Sequence, residues 1–246
     1  MNAIIEQIRS HRSIRKFKPD PVSDEQLRQI VAAAQAAPTS TNIQAYSVIG
    51  VRNEATRQQF VELTGGQRHI GESPLFLVWC ADLRRVQAAL RLHGIESLEQ
   101  NVETFLLATI DATLAAQNAT IAAESLGLGT VYIGGIRNNP ARASELLQLP
   151  QLVYPVFGMC VGVPDQSPDI RPRLPQEAIF HEETYREEKI ATGIEAYDPV
   201  SKQYYRDRTG GSKDTYWSQE MVGRFRKERI RGHMLDFLSS QGFIIK

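Results

Sequence analysis

The distribution of hydrophobic and polar residues predicts helices and strands that alternate along the chain. Apolar positions recur at helical spacing in residues 3–10 and 54–63. Residues 46–51, 75–81 and 156–163 have the length and composition of strands. The run at 75–81 is apolar throughout, which is typical of a central strand covered on both faces.

Two sequence signals predict where helices begin. Ser23 is followed three residues later by Gln26, which forms a capping box for the helix that comes next. The segment Ser97 to Gln100 repeats the signal and should begin the longest helix, which extends to Leu126 and ends before Gly127.

The second half of this longest helix has apolar or small residues on nearly every side, from residue 110 to residue 123. A helix of this kind is buried all round, either in the core of a domain or at a subunit interface. Alanine and threonine let helices approach closely, and we therefore favour an interface.

Composition and charge limit the classes of partner. Lys plus Arg and Asp plus Glu are both 28, so the formal net charge is zero, which disfavours nucleic acid and anionic membrane surfaces. Cys80 and Cys160 lie in apolar runs, where buried reduced thiols are expected. The sequence shows no secretion signal and no apolar run of membrane-spanning length, so we expect a cytoplasmic protein.

A basic stretch occupies residues 11–17, with Arg12, Arg15 and Lys16 beside a histidine and a serine. If the stretch is extended, its side chains alternate between two faces, and the guanidinium groups can bind a phosphate through paired donors. The alternative is a basic helix C-terminus, where cations are favoured by the helix dipole. The stretch alone does not decide between the two.

Three further segments have candidate binding chemistry. The hydroxyl- and amide-rich loop at 38–44 could contact a ligand or be a solvated turn, and Gln67 follows Gly65-Gly66 in a setting that we expect to be exposed. In Gly127 to Gly135, Tyr132 occupies the third glycine position of the dinucleotide fingerprint, which disfavours a classical Rossmann site. Gly134 and Gly135 instead allow a ligand to approach backbone N–H groups.

Five separate pieces of the chain together resemble the FMN-dependent nitroreductase superfamily, and within it the group of NADPH-dependent oxygen-insensitive nitroreductases and flavin reductases. The similarity covers essentially the whole chain. The most specific pieces are H-R-S-I-R at 11–15 and V-Y-I-G-G-I-R-N-N at 131–139. The pieces that carry the resemblance are residues 11–15, Ser40 with its loop, Gln67, residues 132–135 and Arg171-Pro172-Arg173.

The resemblance implies which residues bind FMN. Arg12 and Arg15 would hold the phosphate region with His11 and Ser13, and Gln67 would contact the polar pyrimidine edge. Ile133 would supply an apolar contact to the ring, and Ser40 would reach FMN across a dimer interface. The implied FMN-binding residues are His11, Arg12, Ser13, Ile14, Arg15, Ser40, Gln67, Tyr132, Ile133, Gly134, Gly135, Arg171 and Arg173.

The resemblance also implies how NADPH binds. A loop at 206–213 carries three cations around Gly210-Gly211, and Arg208, with Lys213, would serve the extra phosphate of NADPH. Arg137 is a weaker candidate. Composition alone favours a solvated loop.

The implied fold is α+β: a mixed sheet flanked by helices in an intertwined homodimer. Residues 1–175 would form the FMN-binding core, and residues 176–246 an extension that wraps the core and carries the NADPH loop.

The implied chemistry is a ping-pong reaction. NADPH reduces the flavin and leaves, and a nitroaromatic, a quinone, free flavin or chromate then takes two electrons at the same face. No catalytic side chain and no metal are required, and we find no Ser-His-Asp set and no clustered metal ligands. The alternative function is a flavin-binding sensor or storage protein without turnover, against which the basic segment near Arg208 argues.

Overall fold

A computed structural model describes residues 2–99, 101–226 and 230–243 of the chain. These residues form two compact units. The first comprises Met1–Pro168 together with Arg231–Lys246, and the second comprises Asp169–Ile230. No helix among the described residues is long and apolar enough to cross a membrane.

The first unit is built on a four-stranded sheet in the order β1-β2-β4-β3. Its strands are β1 (Tyr46–Val51), β2 (Leu75–Asp82), β3 (Gly129–Ile133) and β4 (Val153–Gly162). All three pairs of neighbouring strands are antiparallel. Within the part of the chain that the structure describes, the mixed character that we predicted for the sheet is limited to one isolated parallel bridge, between Ser13 and Thr130. The α+β class is confirmed.

Strand β2 separates two hydrophobic cores, because its successive side chains point to opposite faces. Leu75, Leu77 and Trp79 belong to one core, and Phe76 and Val78 belong to the other. Every residue of β2 is buried, which confirms the prediction of a strand covered on both faces. Cys80 and Cys160 are buried and not disulfide-bonded, also as expected.

Helices cover both faces of this sheet. Those of the first unit are α1 (Ala3–Arg9), α2 (Asp24–Gln35), α3 (Glu54–Leu63), α4 (His69–Glu72), α5 (Arg84–Arg91), α6 (Val102–Ser125), α7 (Pro140–Leu146) and α10 (Met234–Ser240). The capping box of Ser23 and Gln26 is present at the start of α2. The predicted box at 97–100 is not the cap of α6: Asn101 and Thr104 form it, and Gln100 lies outside the described residues. Gly127, with φ of 76°, follows the end of α6 as expected.

Helix α6 is not buried on all sides within the chain. Its small residues form the core face, where Ala112, Ala115 and Ala119 are 0 % exposed. Leu106, Ile110 and Leu114, spaced four residues apart, are 45 %, 54 % and 39 % exposed. The expectation of burial on every side is therefore wrong within the chain, and the placement of α6 at a subunit interface stays a prediction. The larger apolar residues form the exposed face.

The second unit is organised around helices α8 (Glu188–Arg208) and α9 (Trp217–Arg224). The buried residues of α8 recur every fourth position, which gives one continuous face along the helix. They are Gly193, Tyr197, Ser201 and Tyr205. The start of α9 is held by α8, since Asp198 accepts hydrogen bonds from the backbone N–H and the hydroxyl of Ser218, at 3.0 and 2.6 Å.

Candidate functional site

The basic stretch at the N-terminus runs alongside β3. Ser13 forms the bridge with Thr130, and the Ile14 N–H donates to the Thr130 carbonyl at 2.9 Å. Gly129 permits this approach, because a Cβ at that position would lie 2.5 Å from Ile14 Cγ1. The stretch is therefore extended from Ser13 onward, and α1 ends earlier, at Arg9. The extended conformation is confirmed, and the binding of a phosphate by this stretch stays a prediction.

The side chains of this stretch have different surroundings. His11 Nδ1 lies 2.5 Å from Glu124 Oε1, so an acidic group already contacts this imidazole. The Arg12 Nε atom is buried and has no hydrogen-bond partner among the described residues. Arg12 also lines a cavity of about 310 Å³, together with Gln7, Glu124 and Ser167. A buried guanidinium N–H without a partner is costly, which makes Arg12 a candidate donor to an anion.

Gln67 and the glycine pair come together in the structure. A Cβ on Gly135 would lie 2.3 Å from Gln67 Nε2 and 3.1 Å from Thr64 Cβ, so Gly135 leaves just the space that the amide occupies. Gln67 is half-buried, and its amide donates to the Thr64 carbonyl at 3.4 Å. The exposed setting that we expected for Gln67 is wrong: the turn after Gly65-Gly66 folds it back against Gly135.

His69, two residues after Gln67, was not identified from the sequence. Its Nε2 atom is buried without a partner among the described residues. Burial lowers the pKa of His69, the Arg15 guanidinium lowers it further, and Glu72 partly offsets both. The imidazole is therefore neutral at pH 7, and the buried nitrogen can donate or accept a hydrogen bond, depending on the tautomer.

Tyr132 and Ile133 face in opposite directions, as neighbours on a strand do. Tyr132 is 36 % exposed, and Thr120 Oγ1 donates to its hydroxyl at 2.8 Å. Burial of the hydroxyl end raises the pKa of Tyr132. The Ile133 side chain is only 1 % exposed and belongs to the core that contains Phe76. The Ile133 side chain therefore packs in the core, and its predicted apolar contact with the flavin ring stays a prediction.

The loop that carries Ser40 is fixed to α6 by Asp111. The two carboxylate oxygens of Asp111 accept the backbone N–H groups of Ser40 at 3.2 Å and Ala45 at 3.0 Å. Asp111 is 1 % exposed. Between its two ends the loop has left-handed backbone angles at Thr41 and Asn42, with φ of 45° and 59°. Such angles are unfavourable for side-chain-bearing residues, so the anchoring by Asp111 selects a particular loop conformation.

In the second unit, α8 holds the Arg171-Pro172-Arg173 segment. Arg171 Nη2 donates to the Tyr205 hydroxyl at 2.8 Å, and the Tyr197 hydroxyl donates to the Pro172 carbonyl at 2.7 Å. Arg173 Nη1 donates to the Arg171 carbonyl at 2.8 Å. Both guanidinium groups therefore belong to a segment that these hydrogen bonds hold in place.

The predicted basic loop at 206–213 is only partly a loop. Arg206 and Arg208 lie in the last turn of α8, and the chain turns afterwards, at Gly210-Gly211. Arg208 is exposed, whereas Lys213 Nζ pairs with Glu220 Oε2 at 3.0 Å. This contact lowers the pKa of Glu220. Arg137, the weaker candidate, is half-buried and donates to the Val156 carbonyl.

Models of known protein families match both parts of the chain. The model of the nitroreductase family matches residues 8–163, and the model of the nitroreductase family C-terminal domain matches residues 171–246. The chain belongs to the nitroreductase family.

The chain is similar over its full length to proteins that are named as reductases. It is 41 % identical over 250 aligned positions to the FMN reductase [NAD(P)H] of Bacillus subtilis, with 100 % of both chains covered. It is 40 % identical to the oxygen-insensitive NADPH nitroreductase of Salmonella typhimurium, with 99 % of both covered. Its fold superposes with a TM-score of 0.89 on the NADPH:FMN oxidoreductase from Vibrio harveyi complexed with NAD+, at 38 % identity and 98 % coverage of both chains.

The residues of this chain fit an FMN group, as the family resemblance implies. Gly135 leaves the space in which the Gln67 amide lies, and a Cβ there would displace that amide. Arg12 Nε and His69 Nε2 are buried polar atoms without a partner among the described residues. An anionic group and a ring with polar edges would satisfy donors and acceptors of this kind.

Two residues of the candidate site, Asp111 and His69, were not identified from the sequence. Asp111 could have been found as the single acid in an otherwise largely apolar stretch of α6, and His69 as a histidine two residues after Gly-Gly-Gln. Among the described residues, no group of three or more His, Cys, Asp or Glu side chains could hold a metal ion.

Proposed function

We propose that this chain is an FMN-containing oxidoreductase that oxidises NADPH and reduces nitroaromatics, quinones or free flavin by two electrons. The observation that carries the proposal is the packing of Gln67 against Gly135, with the unpartnered His69 nitrogen two residues further on. An amide and a neutral imidazole offer the kind of polar groups to which the edge of a flavin ring is suited.

Each part of this site has a separate task in binding. Arg12 and Arg15 hold the phosphate, because a guanidinium pairs with phosphate oxygens through two donors. Gln67 orients the pyrimidine edge of the ring, and the N–H groups of Gly134 and Gly135 approach the ring from the backbone. FMN, when bound, supplies the redox chemistry by taking a hydride and passing on two electrons.

The protein contributes binding and orientation instead of an acid or a nucleophile. Arg171 and Arg173 are fixed cations of the second unit, and a cation near the ring favours the reduced flavin, which carries negative charge. Arg208 and Lys213 bind the phosphate that distinguishes NADPH from NADH, with Arg137 as the weaker candidate. We assign the flavin-binding core to residues 1–175 and the NADPH-binding segment to residues 176–246.

The active form is a homodimer in the cytoplasm. The exposed side chains of Leu106, Ile110 and Leu114 on α6 support a partner subunit, because such a row of large apolar residues is unfavourable in water. On α1, the side chains of Ile4, Ile5 and Ile8 are also exposed, at 62 %, 51 % and 45 %. Ser40 and its loop would reach the flavin of the partner subunit. Small molecules, and neither nucleic acid nor membranes, are the proposed partners.

One assay tests the proposal directly. Protein reconstituted with FMN should be yellow, bind about one FMN per subunit, and oxidise NADPH with saturation in the presence of a nitroaromatic or of added FMN. Protein that binds no FMN even in excess would contradict the proposal. Protein that binds FMN but shows no saturable oxidation of NADPH would be a flavin-binding sensor or storage protein instead.

A further inference from the structure

The ring of Tyr205 is approached by two cations from different parts of the second unit. Arg171 Cζ lies 5.6 Å from the ring centroid, and Lys213 Nζ lies 4.6 Å from the same centroid. Arg171 Nη2 also donates to the Tyr205 hydroxyl at 2.8 Å. Tyr205 is only 6 % exposed, so its ring is held in place by its surroundings.

The backbone of Tyr205 is connected to Lys213 as well. The Thr209 hydroxyl donates to the Tyr205 carbonyl at 2.7 Å and accepts the Lys213 N–H at 3.0 Å. This bridge closes the turn at the end of α8. It connects the backbone of Lys213 to that of Tyr205, whose ring lies near the Lys213 ammonium. Glu220 offsets the repulsion between the two cations, because its carboxylate pairs with Lys213 Nζ at 3.0 Å.

We propose that Tyr205 is a positioning residue shared by both cofactors, which fixes Arg171 for FMN through its hydroxyl and Lys213 for NADPH through its ring. The inference rests on the proposed function, since it takes Arg171 as a flavin contact and Lys213 as an NADPH contact. It adds a residue that would touch neither cofactor itself. Tyr205 was not among the residues that the sequence singled out.

The two tasks belong to different atoms of one side chain, so two substitutions separate them. Tyr205→Phe removes the hydroxyl that accepts from Arg171 and keeps the ring near Lys213. Tyr205→Leu removes both the hydroxyl and the ring. Tyr185→Phe is the matched control, because Tyr185 belongs to the same unit and is 71 % exposed.

Two measurements read the two tasks independently. The FMN dissociation constant is measured by flavin fluorescence during titration of apoprotein, and the preference for NADPH is the ratio of the KM values for NADH and NADPH. Tyr205→Phe should weaken FMN binding about tenfold, since a charged donor loses its acceptor, and should leave the KM ratio unchanged. Tyr205→Leu should weaken FMN binding similarly and also lower the KM ratio roughly two- to fivefold.

The pattern across variants decides the inference. If Tyr205→Phe binds FMN like the wild type, or if both variants lose the same fraction of the NADPH preference, Tyr205 does not have the two separate tasks. Equal thermal destabilisation with no change in either measurement would show a purely structural role. The wild-type protein is measured in parallel. If it binds FMN and oxidises NADPH, the proposed function holds, and the results for the variants concern Tyr205 alone.

Discussion

Gln67 lies against Gly135 so closely that a Cβ on the glycine would be 2.3 Å from the Gln67 amide nitrogen. The two residues are far apart in sequence, and the resemblance to the nitroreductase superfamily assigns both to the flavin site. Gly135 has no left-handed backbone angle that would require a glycine, so the reason for glycine here is space. The atom nearest to the missing Cβ is the end of a flexible side chain, which can move.

Gly135→Ala should therefore displace the Gln67 amide without unfolding the protein. We expect FMN affinity to fall about tenfold, as for the loss of one hydrogen bond to a ligand, while the melting temperature of the apoprotein stays within a few degrees. Fluorescence titration and circular dichroism measure the two. Gly50→Ala is the control, because its Cβ would meet Leu75 and Leu77 at 3.8 Å, an ordinary contact. Unchanged FMN affinity in Gly135→Ala would mean that Gln67 does not contact the flavin.

The Asp111 carboxylate should be essential for the loop that carries Ser40. An asparagine can accept only one of the two backbone N–H groups, and its own NH₂ group would face the other. Asp111→Asn should lower the free energy of unfolding by ~1–3 kcal/mol, the range for a buried donor left without an acceptor. Denaturation by urea at a fixed protein concentration measures this loss. Asp20→Asn, on an exposed residue, should change it little, and an equal loss in both variants would disprove the anchoring role.

His69 should make the protein less stable as the pH falls. Burial and Arg15 lower the pKa of His69 below its ordinary value of 6.5, so the unfolded chain binds its proton more readily than the folded one. The contribution of His69 to the free energy of unfolding is therefore fully present well above pH 6.5. It decreases as the pH falls below 6.5, until the pH reaches the pKa of the folded state. His69→Gln should lose less stability than the wild type between pH 7.5 and 5.5.

Urea midpoints at several pH values measure the slope, and His93→Gln provides the control, because His93 is exposed. The wild type and His93→Gln should share one slope, and His69→Gln should be flatter. Parallel slopes for all three proteins would show that His69 ionises equally well in the folded and unfolded states.

The elements that the sequence predicted correctly are those whose signal is local. The helix at Glu54–Leu63 and the strand at Tyr46–Val51 have the predicted bounds, since helical periodicity and β-branched content are properties of a short segment. Helix α6 is a different case, because the orientation of its two sides is not a local property. Alanine, threonine and leucine give the helix a weak apolar asymmetry, so the sequence could not tell which face enters the core. That choice depends on packing against α2 and the sheet.

The candidate site was predictable only as a set of separate pieces. The segments at 11–15, 67 and 132–135 were identified, but the contact of Gln67 with Gly135 arises from the tertiary fold, which brings the turn after α3 against the segment after β3. Asp111 and Tyr205 were missed because each acts through a distant partner. The buried face of α8 could not be predicted from the sequence either. It consists of a glycine, a serine and two tyrosines, and the hydroxyl groups of the last three give the face no apolar pattern.

The exposed face of α6 leads to a prediction about assembly. Ile110 is 54 % exposed within the chain, and Ala115, five residues later, is 0 % exposed. An aspartate at Ile110 would be tolerated by the folded subunit but would place a charge in an apolar subunit interface. An aspartate at Ala115 would bury an unpaired charge in the core of the subunit itself.

Ile110→Asp should therefore give folded protein that dissociates to monomers at micromolar concentration, whereas Ala115→Asp should give aggregated or unfolded protein. Sedimentation velocity measures the association, and circular dichroism measures the fold. Leu92→Asp, at a residue that is 85 % exposed and outside α6, should remain a dimer. Because the Ser40 loop would then be missing from the partner's flavin, Ile110→Asp should also bind FMN more weakly. If Ile110→Asp sediments as the wild type does, the exposed row on α6 is not the subunit interface. The assignment of Ser40 to the flavin site of the partner subunit would then also be withdrawn.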